Sequence, residues 1–169
     1  DVVMDCVGAT DYARCHRVLT PGGRLLRVVC GLAGLIAAPF QGRRAGHRVI
    51  AGVAAERPED VAALVAMAGE GTYRAVIDAV FPLARIADAH ARVHGRDARL
   101  TGALRVSAME LVFRAFRGAF ADFAALLFGG TTAYHYLHRA AAVKVGERVL
   151  VLGASGAVGV AAVQLARAM

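Results

Sequence analysis

The sequence predicts an α/β fold, a parallel sheet with helices packed on it. Three observations predict it. Short apolar runs, Asp1 to Gly8, Arg24 to Cys30, His47 to Val53 and Arg148 to Leu152, read as strands buried on both faces, and most of them end at or beside glycine. Stretches with helical spacing separate them, the alternation expected of strand–helix–strand units. The run at Arg148 to Leu152 leads directly into Gly153-Ala-Ser-Gly-Ala-Val-Gly159, which opens a helix.

In chain order, Asp1 to Gly8 is the first strand. Ala9 to Leu19 has helical spacing, with Tyr12, Cys15, Val18 and Leu19 near one face. Thr20-Pro-Gly-Gly23 is a strong turn, and Arg24 to Cys30, closed by Gly31, is the second strand. Gly34 to Gly46 is ambiguous and is expected as a loop with one helical turn. His47 to Val53 is the third strand. A helix opens at Arg57-Pro-Glu-Asp60, because proline suits a first helical turn and acids there face the positive end of the helix dipole. It runs to about Ala68 and stops at Gly69 or Gly71. Val76 to Phe81 is a short extended piece closed by Pro82. Leu83 to His94 predicts an amphipathic helix with Ile86, Ala89, His90 and Val93 inward, and Leu100 to Val106 another strand. Ser107 to Phe128 is apolar at helical spacing, interrupted at Gly118. Thr131 to Ala141 is a helix, Lys144 to Glu147 a turn, and Val160 to Met169 the last helix.

Composition narrows the function. The 169 residues suit one domain, and a hydrophobic fraction of 57% supplies a core and excludes disorder. The net charge of +7 comes from arginines scattered along the chain, with Lys144 the only lysine and Arg43-Arg44 the longest basic run. Scattered charge reads as a solvated surface, so no nucleic-acid partner is expected. Ala119 to Tyr136 is the most apolar stretch, but Asp122 and Gly129-Gly130 interrupt it, and no membrane partner is expected. Cys6, Cys15 and Cys30 have no metal-like spacing and suit a reduced, cytoplasmic protein. The chain starts at Asp1 rather than Met, and is expected to be part of a longer reading frame. His135 with His138, and His90 with His94, lack cysteine or acid partners at ligand spacing, so no metal is expected. Tyr134 and Tyr136 read as helix packing, Asp5 as a strand-end residue and Asp78 as a loop acid.

The chemistry concentrates in Gly153 to Gly159. Gly153 lets the chain turn tightly off the strand. Gly156 removes a side chain where a pyrophosphate must approach the backbone, and Gly159 lets the helix pack closely on the strand. Amides at the helix start then face the phosphates. Ser155 belongs to this loop rather than to a catalytic triad. The spacing is Gly-x-x-Gly-x-x-Gly, a looser fingerprint than Gly-x-Gly-x-x-Gly.

Gly129-Gly-Thr-Thr-Ala-Tyr134, Val143-Lys-Val-Gly-Glu-Arg-Val-Leu-Val-Leu-Gly-Ala-Ser-Gly-Ala-Val-Gly159 and Ala162-Val-Gln-Leu-Ala166 resemble the start of the cofactor domain of medium-chain dehydrogenases/reductases, in the zinc-free, quinone oxidoreductase-like branch. Asp1-Val-Val-Met-Asp-Cys-Val-Gly8, Leu19-Thr-Pro-Gly-Gly-Arg24, Val76-Ile-Asp-Ala-Val-Phe-Pro-Leu83 and Ile86-Ala-Asp-Ala-His90 resemble the end of the same domain. The family's order is thus swapped, with residues 1–106 resembling its last block, 107–128 a junction, and 129–169 its start. The resemblance implies a Rossmann-like, doubly wound parallel sheet, incomplete and permuted: strands 4, 5 and 6, then 1. Strand 1 lies beside strand 4 in that fold, so a contiguous 1-4-5-6 sheet remains available. Val149 to Leu152 then becomes an apolar edge, with Leu100 to Val106 expected at the other edge, and open edges predict a homo-oligomer or poor solubility.

The resemblance also implies that Gly153, Ala154, Ser155, Gly156, Ala157, Val158 and Gly159 hold the pyrophosphate. Thr132 would lie near the phosphate and nicotinamide, Val7 on the adenosine side and Gly31 on the nicotinamide-ribose side. By the resemblance, the family's catalytic domain is expected to be missing from this stretch, and Gly118 to Phe123 would be a remnant of its last part. Ala103 after Thr101-Gly102 departs from the family's usual Gly-Lys, and the segment that distinguishes NADP from NAD lies beyond Met169. NADPH is expected over NADH by resemblance, with a quinone, enone or carbonyl as acceptor and no zinc. Two other readings stand beside this one: a non-catalytic nucleotide-binding module or inactive fragment, and a protein that assembles through its open sheet edges.

Overall fold

Four of the apolar runs pair as one parallel sheet. A computed structural model of the chain describes residues 1–55, 57–76, 79–88, 91, 105–107, 127 and 129–169. In it, β1 (Val2–Asp5), β2 (Arg24–Arg27), β3 (Arg48–Ala51) and β6 (Val149–Leu152) lie in the order β3-β2-β1-β6. Every pairing is parallel, with Val2 beside both Arg24 and Val149. This is the 1-4-5-6 arrangement expected of the swapped blocks. The strand that comes last in sequence takes its place next to the first.

Alternation along the strands serves two cores. Val2, Met4 and Leu26 face one side, where they pack with Leu64, Ala133, Tyr136, Leu137, Ala161, Ala162 and Leu165. That side is covered by α3 (Pro58–Gly69), by helical residues 129–134 with the π-helix His135–Ala140, and by α4 (Ala157–Ala168). Val3, Leu25 and Val49 face the other side, against Cys15, Leu19 and Ala38. Its cover is α1 (Tyr12–Cys15) and the 3-10 turn Ala38–Phe40 that follows α2 (Leu32–Ala37). Helices therefore lie on both faces of an all-parallel sheet, the doubly wound α/β plan.

The two blocks are joined at the amino-terminal edge of the sheet as well as by the β1–β6 ladder. The Asp1 carboxylate accepts from the Arg148 amide at 2.9 Å and from the Thr20 hydroxyl at 2.9 Å. Arg24 forms an ion pair with Glu147, and the Lys144 amide donates to the same carboxylate at 2.8 Å. These bonds hold the Glu147 carboxyl below its ordinary pKa, first through the Arg24 hydrogen bond.

Several expectations need correction. The first helix is short: α1 gives way to a 3-10 turn at His16–Val18, and Val18 is exposed rather than packed. Residues Gly34 to Gly46 are more helical than a loop with one turn, because α2 and two 3-10 turns, Ala38–Phe40 and Arg43–Ala45, fill most of the stretch. The far edge of the sheet is β3. Residues Arg105–Ser107 (β5) instead pair in parallel with Val80–Pro82 (β4) as a separate two-stranded sheet. Pro82 has no amide to donate, which suits so short an edge-type pairing. Ile86 is exposed, not inward. Asp78, Ala89, His90, Val93, His94, residues 100–104, the Gly118 break and the 108–126 part of the junction lie outside the described residues.

Candidate functional site

Because the four strands run the same way, their carboxyl ends gather at one edge, the edge where open α/β sheets take ligands. The segments emerging there are Cys6–Thr10 after β1, Val28–Gly31 after β2, Gly52 after β3 and Gly153–Gly156 after β6. In the last of these, Gly153 has φ +79°, a left-handed conformation that suits glycine. Its carbonyl accepts the Gly156 amide at 3.1 Å, closing a tight turn. Gly156 is extended and caps α4 without a side-chain bond. The first bond of the helix runs from the Val160 amide to the Gly156 carbonyl at 2.8 Å. The amides of Ala157, Val158 and Gly159 precede that bond and have no intrahelical acceptor. They form the positive end of a twelve-residue helix.

Glycine is required here by contact as well as by φ. A Cβ on Gly153 would lie 2.5 Å from Val7 Cγ1. One on Gly159 would overlap the Gly153 carbonyl and stand 2.8 Å from Ala154 Cα. Gly129 crosses the start of α4 so closely that a Cβ there would be 2.5 Å from the Ala157 carbonyl oxygen. Thr132 follows on the same helix, three residues along. Ala154 and Ser155 are exposed at the tip of the turn. The turn is therefore built of backbone, with the positive end of α4 at its base.

Asp5, at the end of β1, is fully buried. Its carboxylate accepts the amides of Val7 at 3.1 Å, Ala9 at 3.1 Å and Thr10 at 2.9 Å. The loop after β1 is thereby wound around one side chain, with Val7 set against Gly153. Burial, aided by the Asp5 charge, pushes the neighbouring Cys6 thiol up to about 11. Gly31 is exposed at the start of α2, with open space where a Cβ would go. The structure thus brings Val7 and the start of the 129–134 helix to the glycine turn. Gly8, in the same loop as Val7, lies against Val29, two residues before Gly31.

Sequence reading missed two features. Tyr136 is buried, and its hydroxyl reaches the Gly52 carbonyl at 2.7 Å and the Arg27 carbonyl at 3.1 Å, pinning the ends of β3 and β2 to the helix above them. Arg139 grips Asp60 in a forked ion pair, with Nε at 2.7 and 2.9 Å from the two carboxylate oxygens. That hydrogen bonding holds the Asp60 carboxyl below its ordinary pKa. Asp60 thus serves a tertiary contact in addition to its place in the first turn of α3. His135 lies beside this pair, and burial lowers its pKa. The spacing of apolar residues announces the helix but not the π-turn that sets these side chains.

Among the described residues, no three His, Cys, Asp or Glu come together as a metal-ligand set, and no helix is long and apolar enough to cross a membrane. Residues 1–102 match the family model of the zinc-binding dehydrogenases. A comparison with curated proteins gives no match.

Proposed function

The chain belongs to the zinc-binding dehydrogenase family, and on that premise we propose that it binds a nicotinamide dinucleotide at the Gly153–Gly159 turn as an oxidoreductase of the quinone reductase type. One observation carries the reading. The turn sits at the carboxyl edge of a parallel sheet, and its Gly156 cap makes no side-chain hydrogen bond to the first-turn amides of α4, which have no intrahelical acceptor. Gly153, Gly156 and Gly159 would admit the pyrophosphate. Thr132 and Gly31 would flank the nicotinamide half, and Val7 the adenosine half. When bound, the nicotinamide supplies the hydride. The chain's own residues bind and orient: Asp5 fixes the loop that carries Val7, and Tyr136 fixes the strand ends beneath. The described residues offer no ligand set for zinc, and no step is assigned to a metal.

NADPH is the favoured form, with a quinone, enone or carbonyl as acceptor. The three cysteines, none in a disulfide, suit a reduced, cytoplasmic setting. Among the described residues β6 is an edge strand, which favours a homo-oligomer.

A second reading is favoured by the exposure of Val29, Leu32 and Val53 around the same edge. In that reading the chain holds the dinucleotide but leaves the acceptor side uncovered, and acts as a nucleotide-binding module. Turnover separates the two. Oxidation of NADPH by a panel of quinones, enones and carbonyls supports the oxidoreductase. Saturable nucleotide binding with no turnover of any acceptor supports the module.

A further inference from the structure

Arg27 ends β2 on the face that carries Leu25. Its Nε is buried and has no hydrogen-bond partner, and its guanidinium forms no ion pair with any described residue. A buried donor without an acceptor is costly, and native structures rarely keep one without a reason. Arg24, on the same strand, differs. Its Nε is also unpartnered, but its Nη2 is paired with Glu147.

The acid nearest in register is no partner for Arg27. Asp5 is its Cα neighbour across β1, but that carboxylate is turned to the amides of Val7, Ala9 and Thr10. The far side of the guanidinium is bounded by α2, where a Cβ on Gly34 would stand 2.8 Å from Nη1. A glycine at this position leaves room for the fork at the helix. Arg27 is thus a cation held between a committed acid and a side-chain-free helix position. It lies at the carboxyl edge of the sheet, beside the Val28–Gly31 segment.

We propose that Arg27 is an anion-recognition residue, whose guanidinium takes an oxyanion, a carboxylate or a phosphate, at the carboxyl edge between β2 and α2. Arginine's planar fork suits either group. The inference deepens the proposed function and rests on its placing of the ligand at this edge. The oxyanion has two possible sources: a phosphate of the dinucleotide, or a carboxylate on the acceptor.

The test uses the full chain, wild type, Arg27→Gln and Arg27→Lys, with NADPH, inorganic phosphate and succinate as probes. If the dinucleotide is the source, Arg27→Gln weakens NADPH binding about ten- to a hundredfold, Arg27→Lys less, and phosphate competes with NADPH in wild type only. If the acceptor is the source, NADPH affinity is unchanged and succinate raises the thermal midpoint of wild type but not of Arg27→Gln. Because Arg27→Gln can fail to fold, the Arg27 Nε–H resonance is followed in wild type as phosphate and succinate are added. A saturable shift supports the site, and no shift with either anion overturns it. An Arg27-dependent response to phosphate or succinate without NADPH binding would sustain this inference while the dinucleotide reading fails.

Discussion

Replacing Gly153 with alanine tests whether the turn and the β1 loop form one unit. The structure gives the penalty in two parts. At φ +79° an alanine is left-handed, which costs about 1–2 kcal/mol. Its Cβ would also sit 2.5 Å from Val7 Cγ1 and 3.1 Å from Cγ2. Val7 is 54% exposed and can give way, so this overpacking falls near the low end of its range, about 1 kcal/mol. Gly153→Ala should therefore lose about 2–3 kcal/mol, a fall of roughly 4–12 °C in thermal midpoint for a chain of this size. Val7→Ala removes both offending methyls and leaves Val7 Cβ at 3.3 Å. In that background the same substitution should keep only the backbone part, so the double-mutant cycle shows a coupling of about 1 kcal/mol. Chemical denaturation of the four proteins measures it. An equal penalty in both backgrounds would show that Val7 does not rest on the turn, and the loop geometry used here would be wrong.

Three further outcomes are expected. Arg139→Met strands the buried Asp60 carboxylate, so it destabilises most at neutral pH. The folded pKa of Asp60 is depressed by Arg139, so its contribution is present above the unfolded value and is lost as pH falls through the folded one. The difference from wild type, followed by denaturation, should shrink below about pH 4; a constant difference would contradict the pair. With its thiol pushed up to about 11, Cys6 should resist a thiol reagent at mildly alkaline pH until the chain unfolds. Half-buried Cys30 should react first, and mapping the labelled peptides decides between them. Finally, β6 presents Val149–Leu152 as an edge with Leu150 half exposed. Leu150→Lys should shift a sedimenting oligomer toward monomer, and an unchanged distribution would remove that edge from the assembly.

What could be read in the sequence follows from how far its signals reach. The four strands were legible because each has an apolar centre bounded by turn residues, and Val2, Met4, Leu25 and Leu26 are indeed buried, although β2 carries Arg24 and Arg27 at its two ends. Pro58 and the acids beside it marked the start of α3 to the residue. The glycine turn was legible because Gly153 and Gly159 answer local needs of backbone and close packing. α2 was not, since Leu32, Leu35 and Ile36 are exposed and give no polar–apolar alternation to read. Partners distant in the chain left no local trace. Arg139 meets Asp60 across 79 positions, and Arg24 meets Glu147 across 123. The loop-winding role of Asp5 was equally hidden, because three backbone amides and not a side chain are its partners.

The central claim is that the parallel sheet builds a working dinucleotide cradle, and a titration of the purified chain with NADPH and with NADH tests it most directly. The chain has no tryptophan, so nicotinamide emission reports binding without interference. The account predicts saturable binding, tighter for NADPH, and abolished by Gly156→Asp, which places a negative side chain at the helix cap. No binding of either nucleotide at millimolar concentration would contradict it and would leave the glycine turn a feature of packing alone.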